Sequence, residues 1–491
     1  MKGKLYLFGI GGTGSRVIKS LMMLAASGVK FDAEAIVPII IDPDINNEDL
    51  TRTITLMNNY SEARSYLDYG KGTTKNRFFE TKIEDVMGGY RFRLDNTRDV
   101  KFKEYIDYNS MQKENMALAS ILFSEDNLDA DMQVGFKGNP NIGSVVLNQF
   151  EESQDFEKFA SKFNPGDRIF IISSIFGGTG ASGFPLLVKT LRGISGDRSN
   201  AAAIASAPIG ALTVMPYFKV APDSNSKINS DTFISKTKAA LHYYEKNVYG
   251  DYSAVNVMYS IGDTTNNQYQ NSEGGETQKN NAHIVEFASA LAIADFLRYD
   301  DDSKEMKCET EGVVTYAPDV DFKEFGIESD VANVIFKDLS TATNIHIRKE
   351  MTQFVLFARY MKSHLKDALV QPWAKDNDID AAFLFANFVK NVTKCTEEYL
   401  IWLAEMADNS RGFQPYKFDV PDADLYDIVD GVKPGKIRAL WAFGKSGYDL
   451  FDAALNSEHK EGLSKSFTRE QKFADMFFEA SKIIVEEKYK F

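Results

Sequence analysis

Cysteine is nearly absent from this sequence, since only Cys308 and Cys395 occur among 491 residues. Two cysteines cannot build a disulfide framework or a cysteine-rich metal site, so both are expected to be small apolar residues in a reducing, cytoplasmic compartment. Histidine is also scarce, with five residues and no pair at H-x-x-x-H spacing. We therefore predict no metal site built from protein ligands.

Long apolar runs and an excess of basic charge are missing as well. No segment has 18 uninterrupted apolar residues, and the start of the chain runs from a short apolar stretch into glycines without a cleavage-site pattern. We predict neither a membrane span nor a signal peptide. The formal net charge of -14 argues against nucleic acid as a partner. With 44% hydrophobic residues, the chain can still bury more than one core.

Glycine is concentrated where strands are predicted to end. The residues at 169–172 (IFII) predict a strand buried on both faces, and they precede the second glycine loop, 177–183 (GGTGASG), and a helix-like segment. The first glycine loop, 9–14 (GIGGTG), stands between a short apolar strand, 4–8, and a helix-like segment, 15–24. This layout is typical of phosphate binding, because glycines let the backbone approach an oxyanion and the helix N-terminus attracts it.

The first glycine loop alone matches a dinucleotide-binding pattern. Gly9, Gly11 and Gly14 have the G-x-G-x-x-G spacing, and the next predicted strand, 36–41, ends in Asp42, where a ribose-binding acid is expected. A NAD-dependent dehydrogenase is therefore an alternative. It leaves the second glycine loop unexplained, and no catalytic group for hydride transfer can be named.

The alternation of strand and helix patterns predicts a doubly wound, mostly parallel α/β sheet in a nucleotide-binding domain, 1–280. Within it, 46–130 is polar and uneven and is predicted to be an insertion with one clear helix, near 114–123. A long apolar helix, 281–298, is expected to be buried as a central core helix. Long amphipathic patterns then predict a largely helical C-terminal domain, 299–491.

The motifs, taken in order, resemble the tubulin and FtsZ superfamily, and most of all FtsZ and the bacterial tubulin-like proteins. The segment 9–18 is similar to the family's GVGGxGxNAV loop, and 176–182 is similar to its GGGTGTG signature. The third loop, 138–143 (GNPNIG), looks like the G-x-NPEVG loop around the terminal phosphate. The segment 214–218 (VMPYF) is similar to TKPF. The resemblance covers roughly residues 3–326.

This resemblance implies a GTPase that binds GTP or GDP with Mg²⁺, and it does not exclude ATP. Backbone N–H groups of the three loops would hold the phosphates, with the Thr179 and Ser182 hydroxyls as further donors, and 221–229 would approach the ribose. Phosphate oxygens and water would supply most of the Mg²⁺ ligands. The implied nucleotide-binding residues are Gly11, Gly12, Thr13, Arg16, Asp42, Gly138, Asn139, Gly143, Gly177, Gly178, Thr179, Gly180, Ser182 and Asn281.

In this family an acidic loop completes the hydrolytic site of the next subunit in trans. The family pattern is N-x-D-x-x-D, and the acidic segment here, 319–324 (DVDFKE), has aspartate in the first position. The resemblance therefore implies Asp319, Asp321 and Glu324 as catalytic residues and self-association into head-to-tail protofilaments. A solvated acidic turn is the alternative interpretation.

Two departures from the family keep other hypotheses open. Arg16 stands where FtsZ has the asparagine that reads guanine, so Asn281 or Asn280, at the start of the central helix, could supply the amide instead; an asparagine there could also be a helix cap. The C-terminal half does not look like the smaller α/β domain of FtsZ. A non-polymerising, nucleotide-dependent switch or scaffold, whose helical C-terminal half binds a protein partner, is therefore the second hypothesis.

Overall fold

Six parallel strands form the central sheet of the computed structural model. The model describes the whole chain except residues 1–2, 71–73, 96, 98–99, 133–135, 137–138, 223–229, 251–252, 271–274, 276–277, 313, 318, 326–330 and 462–466. The strands are β1 (Leu5–Ile10), β2 (Ile36–Ile41), β3 (Arg168–Ser174), β4 (Ile209–Val214), β5 (Val257–Ile261) and β6 (Asp321–Phe325).

The strand order is β6-β5-β4-β3-β1-β2, and every neighbouring pair is parallel. All residues of β1 to β4 are buried, as expected for strands that helices cover on both faces. The doubly wound parallel sheet predicted from the sequence is confirmed.

Helices account for most of the remaining regular structure. The longer ones among the described residues are α1 (Gly11–Ala26), α2 (Glu48–Ser65), α3 (Lys113–Leu122), α4 (Pro140–Leu147), α5 (Gln154–Lys162), α6 (Gly178–Arg192), α7 (Phe233–Asn247), α8 (Ile284–Phe296), α9 (Arg348–Ser363), α10 (Asn387–Ala407), α11 (Gly447–Glu461) and α12 (Arg469–Lys488). Short helices are Phe102–Tyr105, Glu125–Leu128, Ala201–Ala205, Thr341–Asn344, Pro372–Lys375 and Ala381–Leu384. Short strands pair as Phe218–Val220 with Asn267–Tyr269, Glu309–Glu311 with Val314–Tyr316, and Asn333–Val334 with Gly412–Phe413.

The two faces of the sheet carry different helices. On one face α1 lies between α2 and α8, and Phe296 of α8 packs on Phe170 of β3 with ring centroids 5.4 Å apart. On the other face α4 packs along α6, and Phe159 of α5 contacts Tyr6 of β1 at 5.2 Å. Adjacent strand residues point to opposite faces, so these apolar strands need apolar partners on both sides.

The insertion and the central helix differ from the sequence prediction. The helix predicted near 114–123 is α3, but α2 also lies inside 46–130 and packs between α1 and α10. The sequence did not predict α2, because its buried residues form a narrow stripe among many polar residues. The central helix begins at Ile284 rather than at 281, because His283 caps it: its Nδ1 accepts the N–H of Val285 at 3.1 Å.

The C-terminal half is mostly helical, as the amphipathic patterns predict. Helix α9 packs on α10 and α12, and α11 packs on α12. Helix α10 joins this half to the sheet, because Phe388 contacts Tyr66 at the end of α2 and Trp402 Nε1 donates to the Ser20 hydroxyl of α1 at 3.2 Å. Among the helices that the structure describes, none combines the length and the apolar character that a membrane span requires.

Candidate functional site

The candidate site lies at the carboxyl ends of β1 and β3, which are neighbours in the sheet. The chain leaves β1 towards β2 on one side and leaves β3 towards β4 on the other. Ligands of open α/β sheets bind at such a switch point, where the connecting loops diverge and leave a crevice. The first glycine loop follows β1 and the second follows β3.

Two glycines of the first loop, Gly11 and Gly14, have a conformational or steric reason to be glycine. Gly11 has a φ of +72°, a left-handed conformation that side chains with a Cβ rarely adopt. A Cβ on Gly14 would lie 2.5 Å from the carbonyl carbon of Gly9, so α1 crosses directly over the end of β1. Helix α1 therefore begins at the sheet edge with its N-terminal N–H groups facing the crevice.

The second glycine loop is built in a similar way. A Cβ on Gly180 would lie 2.7 Å from the carbonyl oxygen of Ser174 at the end of β3. The two loops are neighbours, because an ideal Cβ on Gly11 would lie 3.5 Å from the Cβ of Thr179. Ser182, which the sequence predicts as a further phosphate donor, is buried, and its hydroxyl donates to the carbonyl of Gly178 at 2.8 Å. Gly177 and Gly178 begin the turn into α6.

The third loop leads into α4, which begins at Pro140 with Asn139 as its N-cap residue. A Cβ on Gly143 would lie 2.2 Å from the Ser182 hydroxyl, so the first turn of α4 rests directly on α6. Gly138 lies outside the described residues, as do residues 223–229 of the predicted ribose loop. The close approach of Gly143 to Ser182 places the third loop next to the second.

Three helix N-termini meet at this crevice. None of α1, α4 and α6 has an acidic residue in its first turn, although the chain is acidic as a whole. By contrast, α2 and α5 each carry two acids there. The three helices thus carry no carboxylate in their own first turns that would offset the positive end of the helix dipole, which favours an anionic ligand.

Gly14→Ala is expected to disturb this site by moving α1. The added methyl group would push the helix away from the end of β1, and we expect a loss of about 1–3 kcal/mol in the free energy of unfolding. Gly196→Ala is the matched control, because nothing lies within 4 Å of the Cβ it would add. Urea unfolding compares the two, and equal stability would contradict the close approach of α1 and β1.

Arg16 does not project freely into the crevice. It is buried, and its guanidinium donates to Glu286 at 2.5 Å, to Asp49 at 3.1 Å and to the Tyr217 hydroxyl at 3.0 Å. Thr13 accepts a longer contact from the same group at 3.5 Å. Burial alone lowers the pKa of Arg16, but the surrounding oxygens raise it on balance, so the side chain stays charged.

Glu286, Asp49 and Tyr217 were not identified from the sequence. The sequence did carry a signal for Glu286, because it is an acidic residue near the start of the mostly apolar helix α8, and a buried acid needs a partner. Asp49 follows Asn47, the N-cap residue of α2, whose side chain accepts the N–H groups of Asp49 and Leu50. That cap is the local signal that 46–130 begins with a helix.

The predicted base-reading asparagines occupy two different positions. Asn280 is committed to Asp49, to which its backbone N–H donates at 3.1 Å and its side-chain amide at 3.3 Å. Asn281 is exposed and lies outside α8, so it is not the helix cap. Gln278 lies beside Gly12 and accepts from the amide of Asn47 at 2.9 Å. The loop before α8 therefore forms a wall of the crevice beside the first glycine loop.

Asp42 follows β2 at the same edge of the sheet as the glycine loops. Its carboxylate accepts the N–H of Asp44 at 3.1 Å, and partial solvent exposure remains. Burial raises the pKa of Asp42 to about 7, so the protonated form of this carboxyl group becomes accessible near neutral pH. In its protonated form it can donate as well as accept a hydrogen bond.

The acidic segment is far from the glycine loops. Asp321 pairs with Val257 in β5, which is level with Gly210 and Phe170 in the amino half of the sheet. With β6 three strands from β3 and about 4.8 Å per strand, Asp319 lies roughly 20 Å or more from the second glycine loop. The predicted loop is also partly wrong, because Asp321–Phe325 is the edge strand β6.

The acids of this segment have different environments. Asp319 is exposed, whereas Asp321 is partly buried and accepts a hydrogen bond from the Tyr299 hydroxyl. Glu324 lies within β6. Lys323 donates to Asp295 of α8 at 2.9 Å, which fixes the strand against the central helix. Of the two aspartates, Asp319 is therefore the one that faces solvent.

No protein-family model and no curated protein matches the chain. Solved structures are similar to it. CetZ from Methanosaeta thermophila strain DSM 6194 is 16% identical, with a TM-score of 0.31, and covers 64% of this chain and 57% of its own. An empty FtsZ dimer from M. jannaschii is 13% identical, with a TM-score of 0.29 and coverages of 63% and 58%. A GTPγS-form protofilament of TubZ from Bacillus thuringiensis serovar israelensis is 13% identical, with a TM-score of 0.23 and coverages of 60% and 54%. The matched part thus spans less than two thirds of each of these structures.

Proposed function

We propose that the chain binds a nucleoside triphosphate, with GTP as the expected ligand, and hydrolyses it as a tubulin- and FtsZ-like protein that assembles head to tail. One observation carries the proposal. Three helix N-termini without acidic residues meet at the switch point of the sheet, and the three loops that lead into them are those that resemble the family's phosphate loops.

The phosphates would lie between the first and second glycine loops. Backbone N–H groups at Gly12, Thr13, Gly178 and Thr179 belong to the first turns of α1 and α6, where no helical carbonyl accepts them. Thr179 is partly exposed at this position, whereas the hydroxyl of Ser182 donates to a carbonyl within α6. Ser182 would then support the site by seating Gly143, without touching the ligand.

Mg²⁺ would reach the site with the phosphates. Among the described residues no group of three or more His, Cys, Asp or Glu side chains could hold a metal ion, and the first turns at the crevice carry no acids. Phosphate oxygens and water suit the octahedral coordination that Mg²⁺ prefers. The ion would neutralise phosphate charge, while the protein holds the nucleotide through backbone N–H groups.

Hydrolysis would require a second subunit. Asp319 and Asp321 lie towards the amino ends of the strands, opposite to the glycine loops, so they cannot reach phosphates bound in the same chain. Glu324 is level with Ser173 near the carboxyl ends, but its strand is three strands away from β3. In a head-to-tail assembly, the side of one copy where the strands begin faces the side of the next copy where the strands end. Asp319 would then orient or deprotonate the attacking water. Catalysis would therefore depend on self-association.

A panel of nucleotides tests the binding step. At one hundred times its Kd, a ligand that binds only the folded chain stabilises it by roughly 2.7 kcal/mol. We expect GTP and GDP to raise the Tm. ATP is the most important comparison, because Arg16, at the position of the family's guanine-reading asparagine, binds Glu286 and Asp49 instead. A shift with NAD alone would favour the dehydrogenase alternative, and no shift with any nucleotide would refute the proposal.

The switch hypothesis is favoured by one observation. Glu405 of α10 accepts from Arg52 at 2.6 Å and from the N–H of Ala282 at 3.2 Å, and it lies 3.6 Å from Lys19 of α1. The helical C-terminal half thereby touches the helices beside Arg16, and it could report nucleotide occupancy to a protein partner. Tight nucleotide retention, with turnover independent of protein concentration, would support this second candidate.

A further inference from the structure

One loop of the C-terminal half carries basic charge without acids, although the chain as a whole is acidic. The segment 431–448, which leads into α11, contains four basic residues and no Asp or Glu, against totals of 56 basic and 70 acidic residues in the chain. All four are exposed, and none forms an ion pair with an acid among the described residues. They are Lys433, Lys436, Arg438 and Lys445. Positive charge of this kind attracts an anionic surface.

The same loop presents the two most exposed large apolar side chains that the structure describes. Leu440 is 93% exposed and Phe443 is 87% exposed. The N–H of Phe443 donates to the carbonyl of Leu440 at 3.3 Å, so one tight turn holds both residues. An ideal Cβ on Gly444 would meet nothing within 4 Å, and the turn therefore projects into open space. Exposed apolar groups on such a projection mark an interaction site.

Contacts at the base of the loop fix this turn to the helices behind it. Trp441 is partly buried and lines a cavity together with Gln371 and with Asn456 of α11. The N–H of Gly435 donates to the carbonyl of Lys488 at the end of α12 at 2.6 Å. The turn is thus held in its projecting position before anything binds to it, and little conformational entropy would be lost on binding.

Basic residues stand on both sides of the apolar tip. Arg438 is two residues before Leu440, and Lys445 is two residues after Phe443. Two residues of chain span at most about 7 Å, so the backbone of each basic residue lies within about that distance of the tip. The loop therefore combines an exposed apolar tip with positive charge directly beside it.

We propose that this loop, 433–446, binds the surface of a bilayer that contains anionic lipids. Leu440 and Phe443 would enter the boundary between the headgroups and the acyl chains, where their side chains leave water. Trp441 would lie at the level of the headgroups, as tryptophan commonly does at membrane interfaces, and the basic residues would meet lipid phosphates. The inference goes beyond the proposed function and does not depend on it.

The shape and charge of the loop favour lipid over a protein partner. A convex apolar tip needs a matching pocket on a folded protein, whereas a fluid bilayer accepts it without a preformed site. Peripheral attachment is stable when burial of apolar groups is combined with electrostatic attraction to anionic lipids. Loop 433–446 supplies both contributions within one short segment.

Vesicle flotation tests the proposal with the full chain and without nucleotide, so the result is independent of the proposed GTPase. One set of vesicles contains only phosphatidylcholine, and the other contains equal parts of phosphatidylcholine and phosphatidylglycerol. We expect at least about tenfold more binding to the mixed, anionic vesicles, and less of it at high salt, which screens the attraction. No binding to the mixed vesicles, or equal binding to both sets, would overturn the proposal and leave a protein as the partner of this loop.

Trp441 reports directly on contact with the bilayer. Trp373 and Trp402 are completely buried, so Trp441 is the tryptophan that a lipid can reach. Anionic vesicles should shift the tryptophan emission to shorter wavelength, and lipids brominated on their acyl chains should quench it. Trp441→Phe should lose both effects while it still binds. Vesicle binding of the wild type without quenching would place the contact elsewhere on the chain and would overturn the proposal.

A double variant removes the apolar tip. Leu440→Ser with Phe443→Ser is expected to weaken binding to the anionic vesicles at least about tenfold. The matched control is Ile121→Ser with Phe385→Ser, because these side chains are 81% and 74% exposed in other parts of the chain. The control should bind like the wild type. An equal loss in both double variants, or no loss in the tip variant, would contradict the proposed contact.

A second double variant removes charge and leaves the tip intact. Lys436→Gln with Arg438→Gln is expected to weaken binding about tenfold, because each basic residue near an anionic surface contributes to attachment. Lys238→Gln with Lys246→Gln is the control of equal charge change, since both lysines are exposed on α7. If the two variants lose binding equally, the attraction comes from net charge alone and loop 433–446 is not the binding site.

Discussion

Asp319→Asn is expected to lower nucleotide turnover by roughly a hundredfold, the lower range for loss of a general acid–base group. Asp319 is exposed towards the amino edge of the sheet, so the substitution disturbs no buried contact. Nucleotide binding should be unchanged, because the glycine loops lie at the opposite edge. Phosphate release measures turnover and thermal shift measures binding. Asp302→Asn is the matched control, since Asp302 is also an exposed acid near the amino ends of the strands.

A mixing experiment separates catalysis in trans from catalysis within one chain. Wild-type protein is diluted until its turnover per subunit is low, and Asp319→Asn protein is then added in excess. In a head-to-tail assembly the added subunits supply nucleotide sites that the wild-type acids complete, so turnover per wild-type subunit should rise. An unchanged rate, or a wild-type turnover that does not depend on concentration, would contradict the shared site.

Arg16→Met is expected to lower the free energy of unfolding by about 3–5 kcal/mol, because it would leave the buried acids Glu286 and Asp49 without their cation. Urea unfolding measures the effect. Arg77→Met is the matched control, since Arg77 is 56% exposed and its ion pair with the exposed Glu80 is 3.7 Å long. There the change should stay within about 0.5 kcal/mol.

A double variant tests the reason for this effect. Adding Glu286→Gln to Arg16→Met removes one of the two stranded charges, and Asp49 keeps the two donors of Asn280. Part of the lost stability should therefore return. The buried ion pairs of Arg16 with Glu286 and Asp49 would not stabilise the crevice if Arg16→Met cost less than about 1 kcal/mol. The same conclusion would follow if the double variant recovered no stability.

Local patterns in the sequence were sufficient for the sheet and for two of its loops. Runs such as 169–172 can be satisfied only by burial on both faces, and a glycine with positive φ, such as Gly11, marks a turn at the end of a strand. The steric demands of Gly14 and Gly180 act over a few residues, so their spacing is visible without the fold. Helix α2 was missed because its buried stripe is narrow and interrupted by polar residues.

The environment of each site residue was decided by tertiary structure alone. Arg16 meets Glu286, 270 positions away in the chain, and its commitment to that acid cannot be deduced from the loop that contains it. The same holds for Asp319, whose distance from the glycine loops follows from the position of β6 in the sheet. A sequence determines which segments form strands, helices and tight turns, because those preferences are local. Which charges meet, and which edge of the sheet an acid occupies, depends on how the elements pack.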